Sequence, residues 1–469
     1  MQTRDMTSGP PARLILQFAL PLMLGNVFQQ FYTFVDTMVV GQALGVGALA
    51  ALGASEWLTF LMFGLVQGVV QGFSVVIAQR FGANDEEGMK KAVSGAMFLS
   101  LGMAAAFTVL GQLMLRPVLV LLHTPEEIMG LSLGYLRILY GSLPVAFAYN
   151  LLAAILRAVG NSKTPLQAMT ISSFCNIVLD ILFVFGFHLG IPGAAFATVL
   201  SQVLAALFCF IKLQGSGLLS GEESLLSLKQ ETCRPDHTML KEQLKLGLPM
   251  GLQNMITALG GLIVQSVING FGVIFIAGYT AANKLYGLLE IAASSYGYAM
   301  STYAGQNLGA ARFDRIGRGL KAAGLIGTAT ALIMSAVMIL FGRPVLGCFL
   351  TGDGAAAAAA MEIGYHFLQV LALFFPLLYI LYIIRSCIQG LGNSVLPMVS
   401  SIAQLVMRTG CALLLPPLIG QSGVFYGEVC AWIGADLILA CSYFYWMERL
   451  RRLWSDMEKK HRIHIRKKR

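Results

Sequence analysis

Apolar residues in this chain come in long runs separated by short polar or glycine-containing joints. Many runs approach or exceed 20 residues, enough to cross a bilayer as helix. The pattern predicts twelve spans, near 14–40, 48–79, 92–115, 131–155, 164–187, 192–213, 244–270, 273–304, 318–342, 360–390, 395–416 and 423–447. The expected fold is an all-α membrane protein whose twelve transmembrane helices form two pseudo-symmetric six-helix bundles.

The two halves repeat each other. Residues 144–165 overlay 376–397 at an offset of 232, which aligns Pro144 with Pro376, Gly160 with Gly392, Asn161 with Asn393, Ser162 with Ser394 and Pro165 with Pro397. A register of 227 aligns Ala50 with Ala277, Gln79 with Gln306, Gly82 with Gly309 and Ala83 with Ala310. Duplicated multi-helix units are a common build for secondary transporters, with the ligand path between the halves. The predicted organisation is an amino-terminal lobe at 1–213, a cytoplasmic linker at 214–243, a carboxyl-terminal lobe at 244–448 and a basic cytoplasmic tail at 449–469.

Composition agrees with a chain built for lipid. Hydrophobic residues make up 57% and charged residues 12% of the sequence, against about 25% charged in soluble domains. With the amino terminus in the cytoplasm, 26 Lys and Arg fall on inside segments and 2, Arg116 and Arg343, on outside loops. The positive-inside rule therefore fixes the expected orientation and accounts for the net charge of +9. The tail segment Lys459-Lys460-His461-Arg462 suits an anionic inner leaflet rather than nucleic acid. Eight scattered Cys read as small buried apolar residues. No cleavable leader is expected, because the first apolar segment is too long and resembles the seventh. Gly82 and Gly309 read as helix stops, and the four prolines Pro21, Pro144, Pro249 and Pro376 as bends or starts.

Ionisable residues inside spans carry the candidate chemistry, because charge in hydrocarbon is costly and usually functional. Asp36 on the first span, Asp180 on the fifth and Thr198 on the sixth fall about 7, 10 and 9 Å below the outer surface at 1.5 Å per residue. Asn176 shares a helix face with Asp180, and Tyr32 with Asp36. Two uses are open. The oxygens suit a hard cation such as sodium, or one carboxylate is kept protonated by desolvation and by its like-charged neighbour. A third reading is structural, with the acids tying helices through Arg137. In the second half, Arg408 takes the place of Asn176 and, at an offset of 230, Glu428 that of Thr198. A fixed Arg408–Glu428 ion pair is expected there.

Over nearly its whole length the chain resembles the multidrug and toxic compound extrusion (MATE) transporters. The resemblance rests on the two six-helix halves, the early Asp36, the paired segments 79–83 and 306–310, and the twin Gly-Asn-Ser segments at 160–162 and 392–394. The first-half cluster is similar to the DinF-like branch. That resemblance puts the cation or proton site on Asp36, Asn176, Asp180 and Thr198, with Tyr32, Tyr135 and Asn150 as supporting polar groups. The NorM-like branch uses acids in the second half, whereas the tenth span here offers only His366 and Arg385. The resemblance further implies a V-shaped cavity between the halves, opening alternately to either side. It implies a monomer, substrates that are amphipathic organic cations, a coupling ion of H+ or Na+, and no cofactor. Cavity candidates are Phe28, Gln29, Tyr32 and Gln253, with Glu290 either lining the cavity or pairing with Lys284. The rival reading is a lipid-linked precursor or polysaccharide flippase of the same superfamily, whose cavity is expected to be strongly cationic. No nucleophile motif, nucleotide loop or His cluster points to an enzyme. The compact loops fit a bacterial inner membrane.

Overall fold

A computed structural model describes residues 4–215, 236–350 and 354–468. The linker residues Glu222, Glu223, Lys229 and Glu231 lie outside it. Among the described residues the chain is helical throughout its spans. The first half holds α1 (Pro11–Gly45), α2 (Gly47–Gly82), α3 (Glu86–Leu121), α4 (Glu126–Gly141 continued by Leu143–Ala158), α5 (Lys163–Gly186) and α6 (Gly190–Gln214). The second holds α7 (His237–Asn269), α8 (Val273–Gly309), α9 (Phe313–Gly347), α10 (Ala355–Gly390), α11 (Val395–Ile419) and α12 (Tyr426–Lys468). Ten of these helices are long and apolar enough to cross a membrane, and eleven if the two parts of α4 count as one span. The remaining one, α8, carries Lys284 and Glu290 and is lined with buried Ser, Tyr, Gln and Asn, because neighbouring helices and not lipid surround much of it.

Local chemistry sets the joints. α1 and α2 are separated by Gly45 at φ 79°, ψ −171°. The first helix therefore runs past the expected end near residue 40. α4 bends by 47° at Ser142, where Pro144 opens the second segment. The helical hydrogen bonds of α5 loosen into a π-helix from Ile181 to Gly186, directly after Asp180. Such irregular turns frequently mark functional sites. Asp236 caps α7 by accepting from the Thr238 and Met239 amides, so that helix starts seven residues before the expected span. α12 continues as one helix through the basic tail.

The halves meet along α2 and α7 on glycine. A Cβ on Gly72 would lie 2.4 Å from the Gly247 Cα, and one on Gly68 2.5 Å from the Met250 carbonyl oxygen. Gly68 and Gly72 face Gly251 and Gly247, and Gly64 at the same four-residue spacing faces Asn254, the small-residue pattern that lets helix backbones touch in lipid. At the end of the molecule where Arg4, Arg80, Arg157, Arg312 and Arg315 gather (the basic end), the halves close on each other with two-fold regularity. Gln79 Nε2 donates to the Gly390 carbonyl at 2.9 Å, and Gln306 Nε2 donates to the Ala158 carbonyl at 2.8 Å. These bonds are mates under the sequence repeat. The helices end at Gly82 and Gly309, as the sequence suggested, but without left-handed backbone at either glycine. Both are helical, and a Cβ on either would come within 2.0 Å of the Gln306 or 1.9 Å of the Gln79 carbonyl oxygen. Left-handed backbone falls instead on Asn84 and Ala311, two residues later.

A strap of six residues, Arg4 to Gly9, lies across this closure. The Met6 amide donates to Gln306 Oε1 at 2.9 Å, and its side chain is fully buried. Asn307 Nδ2 and Arg315 Nη2 both donate to the Met6 carbonyl, and Arg315 Nη2 also to Gly9 O at 2.8 Å. Arg312 holds the Thr7 carbonyl, and the Arg4 amide donates to Val159 O. Buried residues of the strap and the first turns of α1 (Met6, Ile15, Phe18, Ala19 and Leu22) accordingly join the apolar core of the second half. Farther along α1, Val39 and Val40 pack with Val184 and Ile191 of the first half. One helix thus spans both cores.

Candidate functional site

Asp36, Asn176 and Asp180 are buried side by side in the first half, with relative exposures of 7, 0 and 0%. α1, α5 and the π-turn that follows bring them together. The longer α1 places Asp36 nine residues from Gly45, about 14 Å at 1.5 Å per residue, deeper than the sequence suggested. Asp36 Oδ1, both Asp180 oxygens and both polar atoms of the Asn176 amide are shut off from solvent with no hydrogen-bond partner. Asp36 lies close enough to bear on the charge of Asp180, and Tyr32 and Tyr135 are near both carboxyls. An uncompensated buried carboxylate costs several kcal/mol. This set of orphaned oxygens therefore has the chemistry to hold a proton or a small hard cation.

The other first-half candidates are less buried. Thr198 is half-buried on α6, and its carbonyl accepts from Ser201 Oγ. Asn150 is half-buried and donates back to the Ala146 carbonyl of its own helix. Among the described residues neither makes a hydrogen bond to the acids. Arg137 is exposed and so does not bridge Asp36 and Asp180. Phe28 and Gln29 are exposed on α1. Gln253, read as a cavity residue, is buried at the interface and accepts from Gln389 Nε2 at 3.0 Å.

In the second half, Arg408 Nη2 lies 2.6 Å from Glu428 Oε2, each side chain 13% exposed. Glu290 Oε1 accepts from the Tyr382 hydroxyl at 2.7 Å. Lys284 is exposed and stands over the Phe34 ring at 5.8 Å, not against Glu290. Arg385 Nη2 donates to Gln404 Oε1 at 2.7 Å. The sequence reading missed Asp436 on α12, whose two oxygens are buried without partners beside Arg385. The signal was available, as an acid midway along an apolar span.

Among the described residues no group of three or more His, Cys, Asp or Glu could hold a metal ion. Paired halves, a glycine-packed seam and buried acids inside spans define a multi-pass membrane transporter rather than an enzyme. The chain belongs to the MatE family, whose profile matches residues 21–182 and 249–413, one stretch in each half. It is 28% identical to the probable multidrug resistance protein YpnP of Bacillus subtilis over 97% of this chain and the whole of that protein. It is 31% identical to the probable multidrug resistance protein YoeA of the same organism, over 71% of this chain and 72% of the relative. The multidrug export protein MepA of Staphylococcus aureus is 23% identical over 90% of this chain and 91% of its own length. Two solved structures share the fold at 24% identity and 97% coverage of this chain. An outward-facing multidrug resistance MATE family transporter of the MOP superfamily superposes with a TM-score of 0.86, covering 99% of that chain. A MOP superfamily transporter from Pyrococcus furiosus, described as having a binding pocket of reverse polarity, does so at 0.87, also covering 99%.

Proposed function

We propose that this chain is a cation-coupled exporter of amphipathic, mostly cationic organic compounds, working by alternating access in a bacterial inner membrane. The observation that carries the coupling is the orphaned state of Asp36, Asn176 and Asp180 in a nearly dry chamber. A proton or sodium ion relieves the cost of that chamber, and its loss restores it. Binding there biases α1 and α5 toward one arrangement of the lobes, and an organic cation in the cavity biases the other. Tyr32 and Tyr135 serve as the polar rim, and Thr198 and Asn150 complete the site once α6 and α4 shift. The buried Arg408–Glu428 pair is the fixed counterpart in the second lobe. The names of the relatives support drug-like substrates. Acid pairing at Asp36 and Asp180 favours cations over the pyrophosphate carried by a flippase. The lysine and arginine bias puts the basic end, with both termini, in the cytoplasm.

The test is uptake of ethidium into inverted vesicles, with sodium varied at fixed pH and then pH at fixed sodium. Asp36→Asn and Asp180→Asn are expected to abolish the response to whichever ion drives transport. Undiminished coupled uptake in both variants refutes the assignment.

A further inference from the structure

Asp436 is the third aspartate inside a span, and the coupling site proposed above does not use it. Its surroundings differ from those of Asp36 and Asp180. Both its oxygens are buried and accept no hydrogen bond. The base near it, Arg385 on α10, is 7% exposed and forms no ion pair with it. One guanidinium nitrogen of Arg385 is taken by Gln404 on α11, and Nε, also buried, has no partner. A carboxylate and a guanidinium thus stand near each other in a dry interior, each with orphaned atoms and neither bonded to the other. Buried acids that only tie helices together make bonds, as Glu428 does with Arg408. The remaining charged and titratable groups around the gap are Tyr382 on α10, Arg408 on α11, Glu428 on α12 itself and Glu290 on α8. Farther along the α10–α12 contact come Cys387 and Tyr443.

We propose that Asp436 is a proton site of the carboxyl-terminal lobe that does not accept sodium. In the present arrangement it carries its proton, because an ionised carboxylate with no donor is not tolerated there. When Arg385 swings onto it, the O–H bond breaks, the proton passes to water in the cavity, and the carboxylate accepts the Arg385 Nε–H instead. Sodium is excluded because the guanidinium already holds the positive charge beside the gap, whereas the first-lobe acids have no base next to them. The swing is tied to closure of the molecule. Arg385 lies five residues before Gly390, whose carbonyl receives Gln79 across the lobe seam. Releasing that bond frees the end of α10 that carries Arg385. The lobe would then give up a proton each time the basic end opens, separately from events at Asp36 and Asp180.

Infrared difference spectroscopy on the full chain in lipid nanodiscs tests this, with 13C-labelled aspartate and pH steps between about 5 and 9, above the range of ordinary aspartates. The background is Asp36→Asn with Asp180→Asn, which leaves Asp436 as the one intramembrane aspartate among the described residues. A label-sensitive carboxylic-acid band is expected, unchanged when potassium is replaced by sodium, and lost on adding Asp436→Asn. Arg385→Gln is expected to make the band sodium-sensitive. Absence of a label-sensitive acid band in the background protein overturns the proposal, as does a band that sodium removes while Arg385 is present. The background spectrum decides even if Asp436→Asn does not fold. Because that background lacks both first-lobe acids, the result is independent of the coupling site proposed above.

Discussion

Replacing Gln306 by Ala removes two bonds of the basic-end closure at once. Gln306 is fully buried, accepts the Met6 amide through Oε1 and donates to the Ala158 carbonyl through Nε2. Without it, one N–H and one C=O are left buried and unpaired in the closed arrangement, at about 1–3 kcal/mol each. In an arrangement open at this end both groups meet water, so the penalty of about 2–6 kcal/mol falls on one state alone. At 1.4 kcal/mol per decade, the open-to-closed ratio rises by at least about 30-fold. Gln79→Ala removes one inter-lobe bond and orphans only the Gly390 carbonyl, so its shift should be about half as large in free energy. Electron–electron distance measurements between spin labels at 163 and 395, exposed repeat mates at the starts of α5 and α11, report the lobe separation directly. The expected order of the open population is Gln306→Ala, then Gln79→Ala, then wild type. Equal distance distributions in all three, or a larger shift for Gln79→Ala, refute the claim that these side chains hold the basic end shut.

Gly82→Ala and Gly309→Ala each force a methyl to within about 2 Å of the opposite lobe's backbone. Both should lose the short-distance population in the same measurement, with transport falling more than protein yield. Arg408→Ala leaves Glu428 buried and unpaired, at a cost of about 3–5 kcal/mol. Its yield of folded protein should therefore fall below that of the double variant Arg408→Gln with Glu428→Gln, and equal yields count against the pairing. Partial burial pushes the Asp5 carboxyl up, but the Thr7 hydroxyl and amide, the Ser8 hydroxyl and the nearby Arg312 charge outweigh it and hold the group below the usual aspartate range. Its support for the strap is thus complete above about pH 4 and lost as pH falls through its lowered value. Hydrogen exchange at the Met6 to Ser8 amides should be flat from pH 5 to 8 after correction for intrinsic rates, and faster in Asp5→Asn. A strap that loosens between pH 5 and 8 refutes this role.

What could be read from residues alone was whatever violated hydrophobicity or repeated itself. Asp36, Asp180, Arg408 and Glu428 stood out as charges within apolar runs, and the offsets of 227 and 232 forecast that the halves would mirror each other. Asp436 gives the same kind of signal, yet it has no mate in the first half, and reading by repeat passed over it. Gln79 and Gln306 were noticed as motif members, but their bonds span 311 and 148 residues and follow no local rule. The strap has no periodicity, because backbone groups from Met6 to Gly9 make its contacts and any sequence supplies those. The glycine seam was the readable feature left unread: Gly64, Gly68 and Gly72, with Gly247 and Gly251, display the four-residue spacing openly.

The strap also constrains how the protein can be made. Arg4 to Gly9 is synthesised some 300 residues before Gln306, Asn307, Arg312 and Arg315, which hold its backbone. The Gly390 carbonyl that receives Gln79 comes later still. Until its partners have been made, the strap lacks the side chains that hold it, and Met6 has no apolar pocket in the second half to enter. The strap can therefore be seated only late, once the chain has been made through Arg315 and the halves can close.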